Sequence, residues 1–208
     1  MDGFPITALL KQQVILLHSD FPVLLTAHLR QSNKAGPNVP KGTQALEADG
    51  YTLRTSSPMV WANLEAFIKD VCRWGDYAGI SGRVLKNNAR SHIKSKVGNA
   101  ISLLSFTPPD LAGALNSVRE IKGLGSVSFA SKHLRFLFPE HCPVLDSILS
   151  SRLLYDLSTD GYLLFASACQ AMAEELNKAK ISTTFPGQSF WRPSDVEAAL
   201  YAWVNEWK

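Results

Sequence analysis

Residues 118–149 read VREIKGLGSVSFASKHLRFLFPEHCPVLDSIL. The pattern predicts a helix, a glycine turn, a second helix, a short loop and then an aspartate that opens another helix. The first of these helices is expected to begin near Thr107. Thr107-Pro108-Pro109-Asp110 supplies a capping hydroxyl, a proline at the first helical position and a carboxylate three residues after the cap. Leu111, Ala114, Leu115, Val118 and Ile121 recur at helical spacing and define one buried face. Gly123 and Gly125 stop that helix, because glycine accepts the positive φ of a sharp reversal. Val127, Ala130, Leu134, Leu137 and Phe138 form the stripe of the next helix, with Lys132 and Arg135 sharing its other face and Pro139 ending it.

Such a turn leaves the N–H groups of Gly123, Leu124, Gly125 and Ser126 without helical partners, aimed outward at the start of a helix. A nest of donors with a helix dipole behind it suits phosphate. The same glycines also fit a plain αα-hairpin. Asp146 follows Pro143-Val144-Leu145 and precedes the apolar positions Ile148, Leu149, Leu153 and Leu157. It suits a helix N-cap, and a capping aspartate can also face a substrate.

Asp146 lies 23 residues after Gly123. With that spacing the segment resembles the helix-hairpin-helix DNA glycosylases, in the branch that includes the 8-oxoguanine glycosylases. Ile121-Lys122-Gly123-Leu124-Gly125 is similar to the family's hairpin, Ala130-Ser131 and Leu134-Arg135 to its following helix, and Leu145-Asp146 to the position of its catalytic aspartate. The resemblance is specific over residues 118–149 and vague elsewhere. It implies an all-α fold of two helical lobes in one domain, with the hairpin over residues 107–138 and the catalytic loop and helix over 139–157. It also implies double-stranded DNA carrying a damaged or modified base as partner, with an oxidised purine as the base; the missing family lysine and the unusual loops leave room for another substrate, including a modified base of viral DNA. Asp146 would then stabilise positive charge on the sugar as the glycosidic bond breaks. The hairpin N–H groups would grip the backbone, with a monovalent cation at the hairpin carbonyls as in relatives, and Lys122, Lys132 and Arg135 would add charge. Bifunctional relatives carry a lysine four residues after the first hairpin glycine. Val127 stands there, and Lys132 is five residues further on. The expectation is a monofunctional glycosylase that leaves an abasic site. The alternative is a non-catalytic helix-hairpin-helix DNA-binding protein in which Asp146 is only a cap.

Outside this stretch the chain constrains function less. It has 208 residues, 46% of them apolar, enough for a folded core. A net charge of +3 permits a nucleic-acid partner without requiring one. Cys72, Cys142 and Cys169 are odd in number and scattered, which supports neither a disulfide framework nor a zinc or iron–sulfur site, and no cofactor is expected. The scattered cysteines fit a reducing cytoplasm, no signal-peptide pattern or long apolar run stands out, and a monomer is expected.

Residues 5–31 read as two helices, the first carried by Ile6, Leu9, Leu10, Val14 and Leu17. His18 and His28 read as surface or partly buried helix histidines, since nothing beside them completes a metal set. Asn33, Gly36, Pro37, Asn38, Pro40, Gly42 and Gly50 mark residues 32–57 as a flexible loop, either a connection or a segment lying on DNA, in which Leu46 and Tyr51–Leu53 could add one helical turn or a short strand. Residues 58–79 read as a buried helix with Trp61 near its start, a packing residue or one that reaches a base pocket. Residues 80–104 hold Arg83, Lys86, Arg90, Lys94 and Lys96 with no acid among them; Arg90 and Lys94 are candidate backbone contacts, against an ordinary basic face. Phe190, Trp191 and Arg192 precede the last helix, either stacking on a base or closing the core. Ser194 and Glu197 have the spacing of a capping box for that helix.

Overall fold

A computed structural model describes residues 3–4, 16–32 and 40–206. Among the described residues the protein is all-α apart from one short antiparallel bridge. That bridge joins β1 (Gly3–Phe4) to β2 (Leu16–Leu17). The helices are α1 (Asp20–Ser32), α2 (Thr43–Thr55), α3 (Trp61–Trp74), α4 (Ala78–Asn87), α5 (Arg90–Leu104), α6 (Leu111–Arg119), α7 (Val127–Leu137), α8 (Ser147–Leu153), α9 (Thr159–Lys178) and α10 (Pro193–Glu206). Among the described residues no helix is long and apolar enough to cross a membrane. The helix expected from Ile6, Leu9, Leu10 and Val14 lies outside the described residues, and Leu17 belongs to β2 rather than to a helix.

The apolar stripes explain most of this order. In α3, Leu64, Phe67, Ile68 and Val71 recur at i, i+3, i+4 and i+7 and are buried. In α9, Tyr162, Phe165, Ala166, Cys169, Met172, Ala173 and Leu176 do the same. α7 differs, because almost its whole circumference is buried, including Ser131, Lys132, His133 and Arg135. It is the central helix, with α2, α3 and α6 packed around it. α1 lies along α10, which also contacts α8 and α9.

Three expectations are corrected here. Residues 43–55, expected as part of a loop, form the 13-residue helix α2. Gly50, taken as a breaker, is instead a close-approach glycine: a Cβ there would sit 1.9 Å from the Phe136 carbonyl oxygen. Its missing side chain lets α2 lie directly on α7. The helix expected from Thr107 begins at Leu111, with Asp110 as its cap accepting from the Gly113 N–H at 2.8 Å. Thr107 and Pro108 both precede prolines, which keeps them out of the helical region. In the last helix the cap is shifted by two residues. Pro193 is the first helical residue, and Asp195 reaches back to the Arg192 N–H at 3.2 Å. Ser194 Oγ has no hydrogen-bond partner, so Ser194 and Glu197 do not form the expected box.

Candidate active site

The turn between α6 and α7 reverses at Gly123 alone; Gly125, expected to share the positive φ, does not adopt one. Gly123 has φ of +102°, the left-handed region in which a side chain would be strained. The Leu124 N–H donates to the Ile121 carbonyl at 2.8 Å, so it is not one of the outward donors expected. Ser126 caps α7, its Oγ accepting from the Phe129 N–H at 3.2 Å. Asn88, between α4 and α5, holds the turn from outside: its amide accepts from the Lys122 N–H at 3.0 Å and donates to the Lys122 carbonyl at 2.9 Å. Arg119 Nε donates to the Gly125 carbonyl at 2.9 Å. The carbonyls of Ile121, Lys122 and Gly125 thus already accept donors. Lys122, Gly123, Gly125 and Ser126 are exposed.

Asp146 is the N-cap of α8. Its Oδ1 accepts from the N–H groups of Ile148 and Leu149 at 3.0 and 3.1 Å. Oδ2 is 3.5 Å from Lys132 Nζ. The residue is 7% exposed, and that remainder faces a cavity of about 500 Å³. The cavity is walled by α1 through His28 and Gln31, by α7 through Lys132, by the loop and cap of α8 through Val144 and Asp146, and by α10 through Glu197 and Tyr201. The size is that of a small-ligand pocket.

Lys132 connects the carboxylate to the helix start that follows the turn. Its ammonium donates to Ser128 Oγ at 3.4 Å, in the first turn of α7, and lies 5.3 Å from the centre of the Tyr77 ring. Sequence spacing separated Lys132 from the family's lysine position by more than a helical turn. The folded chain nevertheless brings its amine beside Asp146, because the 139–146 loop folds back against α7. The Leu145 N–H donates to Ser131 Oγ at 3.2 Å and fixes that return.

Arg135 does not belong to this set. It is 1% exposed, with Nη1 2.8 Å from Glu47 of α2 and Nε 3.9 Å from Glu197. Arg192 grips the same Glu47 at 2.8 Å and Asp195 at 2.7 Å. Arg135 was expected on an open face, but α2 covers that face, so it cannot serve as a DNA-backbone contact. Trp191 is also removed from the base-pocket candidates: it is 2% exposed, packs edge-on to Phe21 and donates its indole N–H to the Ile181 carbonyl at 2.9 Å. Phe190 is half exposed but lines a different hollow, with Arg54, Glu140 and Arg192. Trp61 lies under the Arg90 guanidinium, 5.3 Å from ring centre to cation, and does not line the Asp146 cavity. Of the basic segment, Arg83, Lys86 and Arg90 are exposed and Lys94 half-buried, whereas Lys96 pairs with Glu120 and Asn99 donates to Ser117 Oγ.

His28 and Glu197 were missed as pocket residues. His28 is 6% exposed and its Nε2 has no hydrogen-bond partner; burial, with the Arg135 charge, lowers its pKa to about 3. Glu197 is 2% exposed, and burial pushes its carboxyl up to about 8 against the pull of Arg135, with Asp146 raising it further. A signal for Glu197 existed, a glutamate on an otherwise apolar helix face, but the capping-box pattern absorbed it. His28 carried no signal, because its neighbours come from the other end of the chain. The three cysteines are free and buried, and no group able to hold a metal ion occurs among the described residues.

Comparison with known proteins returned nothing. No family model, no curated protein and no solved structure matches this chain.

Proposed function

We propose that this protein is a monofunctional DNA N-glycosylase, which hydrolyses the bond between a flipped damaged or modified base and its sugar and leaves an abasic site. In this reading the chain adopts the two-lobed arrangement of the helix-hairpin-helix glycosylases it resembles. The reading rests on one observation above all: Asp146 is a pocket-facing carboxylate, fastened by two backbone N–H groups and bridged through Lys132 to the helix start after the glycine turn. The exposed donors at Gly123, Gly125 and Ser126, with Lys122, take the phosphate next to the target. Arg90 and Lys94 extend that contact. The base leaves the stack, at a cost of a few kcal/mol, and enters the cavity. As the bond breaks, positive charge grows on the sugar. Asp146 stabilises it and takes the proton of the attacking water.

Incubation with a panel of damaged and virally modified DNAs, with released bases read by mass spectrometry, tests this. The wild type should release a base from at least one of them. Asp146→Asn should lose on the order of 10²–10³-fold in rate with the fold intact by circular dichroism. Salt-dependent binding with no base released from any DNA would leave a non-catalytic DNA-binding protein instead. A second reaction is favoured by a specific contact, the Lys132 amine 3.5 Å from Asp146. An amine there can attack C1′ and form a Schiff base that leads to strand nicking. A covalent adduct trapped by borohydride and lost in Lys132→Ala would replace hydrolysis with that lyase chemistry.

A further inference from the structure

Glu197 stands out among the buried acids because its surroundings do not neutralise it. The last helix does not use it as a cap, since Asp195 has that role. Its nearest cation, Arg135, is 3.9 Å away, beyond hydrogen-bond distance, and spends its closer contact on Glu47. Glu197 lines the same cavity as Asp146 and as Val144, two residues before it. In that wall, the buried and unpartnered Nε2 of His28 independently marks a place where a polar ligand group belongs.

We propose that Glu197 is the general acid of this pocket, donating its proton to a ring nitrogen of the departing base while Asp146 serves the sugar. The inference rests on the glycosylase reading and deepens it. The C1′–N bond breaks with its electron pair going to the base. The Glu197 proton moves to a ring nitrogen, so that the base leaves neutral and Glu197 becomes a carboxylate. Water adds its hydroxyl to C1′ and gives its proton to Asp146, from which it passes through solvent to Glu197. One water is consumed and both acids are restored.

The charges around Glu197 fit a resident proton at neutral pH. From α7 it meets Lys132 and Arg135, which oppose that proton. From the α8 cap it meets Asp146, and from α2 the Glu47 that occupies Arg135. α9 presents Tyr162 and Cys169, both uncharged because burial raises their pKa values. α1 presents the neutral His28, and α10 itself Tyr201 and the Arg192–Asp195 pair. Burial outweighs the cations, and the acid keeps its proton up to about pH 8. That range suits a general acid at neutral pH.

The test uses the full chain under single turnover, with a DNA base the wild type releases, across about pH 6 to 9. Glu197→Gln should slow release by on the order of 10²-fold at neutral pH. The fall in wild-type rate above about pH 8 should vanish in the variant. A wild-type rate in the variant, or a variant that keeps the fall above about pH 8, overturns the role of Glu197 while leaving the glycosylase reading intact. Wild type that releases no base from any DNA brings down that reading and this one with it. Carbon-13 NMR titration of the side-chain carboxyls, compared with Glu197→Gln, reads the resident proton without any substrate. A Glu197 carboxyl already ionised at pH 6 overturns the proposal.

Discussion

Two clusters of charge lie one helical turn apart on α7, and they are built oppositely. Around Arg135 the acids Glu47 and Asp195 and the second cation Arg192 are enclosed by α2, α7 and α10, with contacts as short as 2.7–2.8 Å. Around Lys132 stands Asp146 at 3.5 Å, beside a cavity that Glu197 also lines. The first cluster holds helices together; the second borders the cavity. A buried network is stabilising only while it is complete, since loss of one member strands the others in low dielectric. A pair that borders a cavity can be hydrated when one member is lost, at lower cost. That contrast separates a structural ion network from a reactive site, although both begin with a basic residue on the same helix.

The largest effect that tests this contrast is on stability. Arg135→Ala should destabilise the fold by about 3–5 kcal/mol, whereas Lys132→Ala should cost well under half of that. Urea denaturation of the two variants checks the difference, and similar losses would erase the distinction. The second effect comes from the surface that seals the Arg135 cluster. Gly50→Ala drives a methyl into the Phe136 carbonyl and should cost about 1–3 kcal/mol, with a loss of amide protection in α2 and α7 larger than in α9. The smallest effect is on pH dependence. His28 and His133 have folded pKa values of about 3 and about 4, below the usual 6.5, because burial penalises their charged forms. Their contribution to stability is therefore present above pH 6.5 and lost as pH falls toward 4 and 3. The slope is up to about 1.4 kcal/mol per pH unit for each histidine. Glu197 has the opposite sign: its pKa is raised, so its contribution is present below pH 4.5 and is lost as pH rises through 8. Urea midpoints measured from pH 4 to 9 should show a maximum between these flanks, and His28→Gln should flatten the acid flank.

How much could be read in advance differs between the two clusters for a physical reason. The apolar stripes of α3, α7 and α9, the reversal at Gly123 and the cap at Asp146 depend on residues three or four positions apart, and local spacing reports them directly. Gly50 is the counter-example. A glycine in a polar stretch reads as a breaker, yet its cause is the Phe136 carbonyl 86 residues away. Misreading it hid α2, and without α2 the face of α7 carrying Arg135 looked open. Glu197 failed in the same way, because a three-residue spacing fits a cap equally well when the helix start is misplaced by two positions.

Periodicity, turn residues and capping side chains were sufficient to make this chain all-α and to single out Gly123 and Asp146, because each reflects forces within a few residues. Which cations are sealed and which face a cavity, and which acid lies beside Asp146, depends on helices from opposite ends of the chain meeting around α7. Burial and pairing of charge arise from that meeting, so no local pattern could contain them.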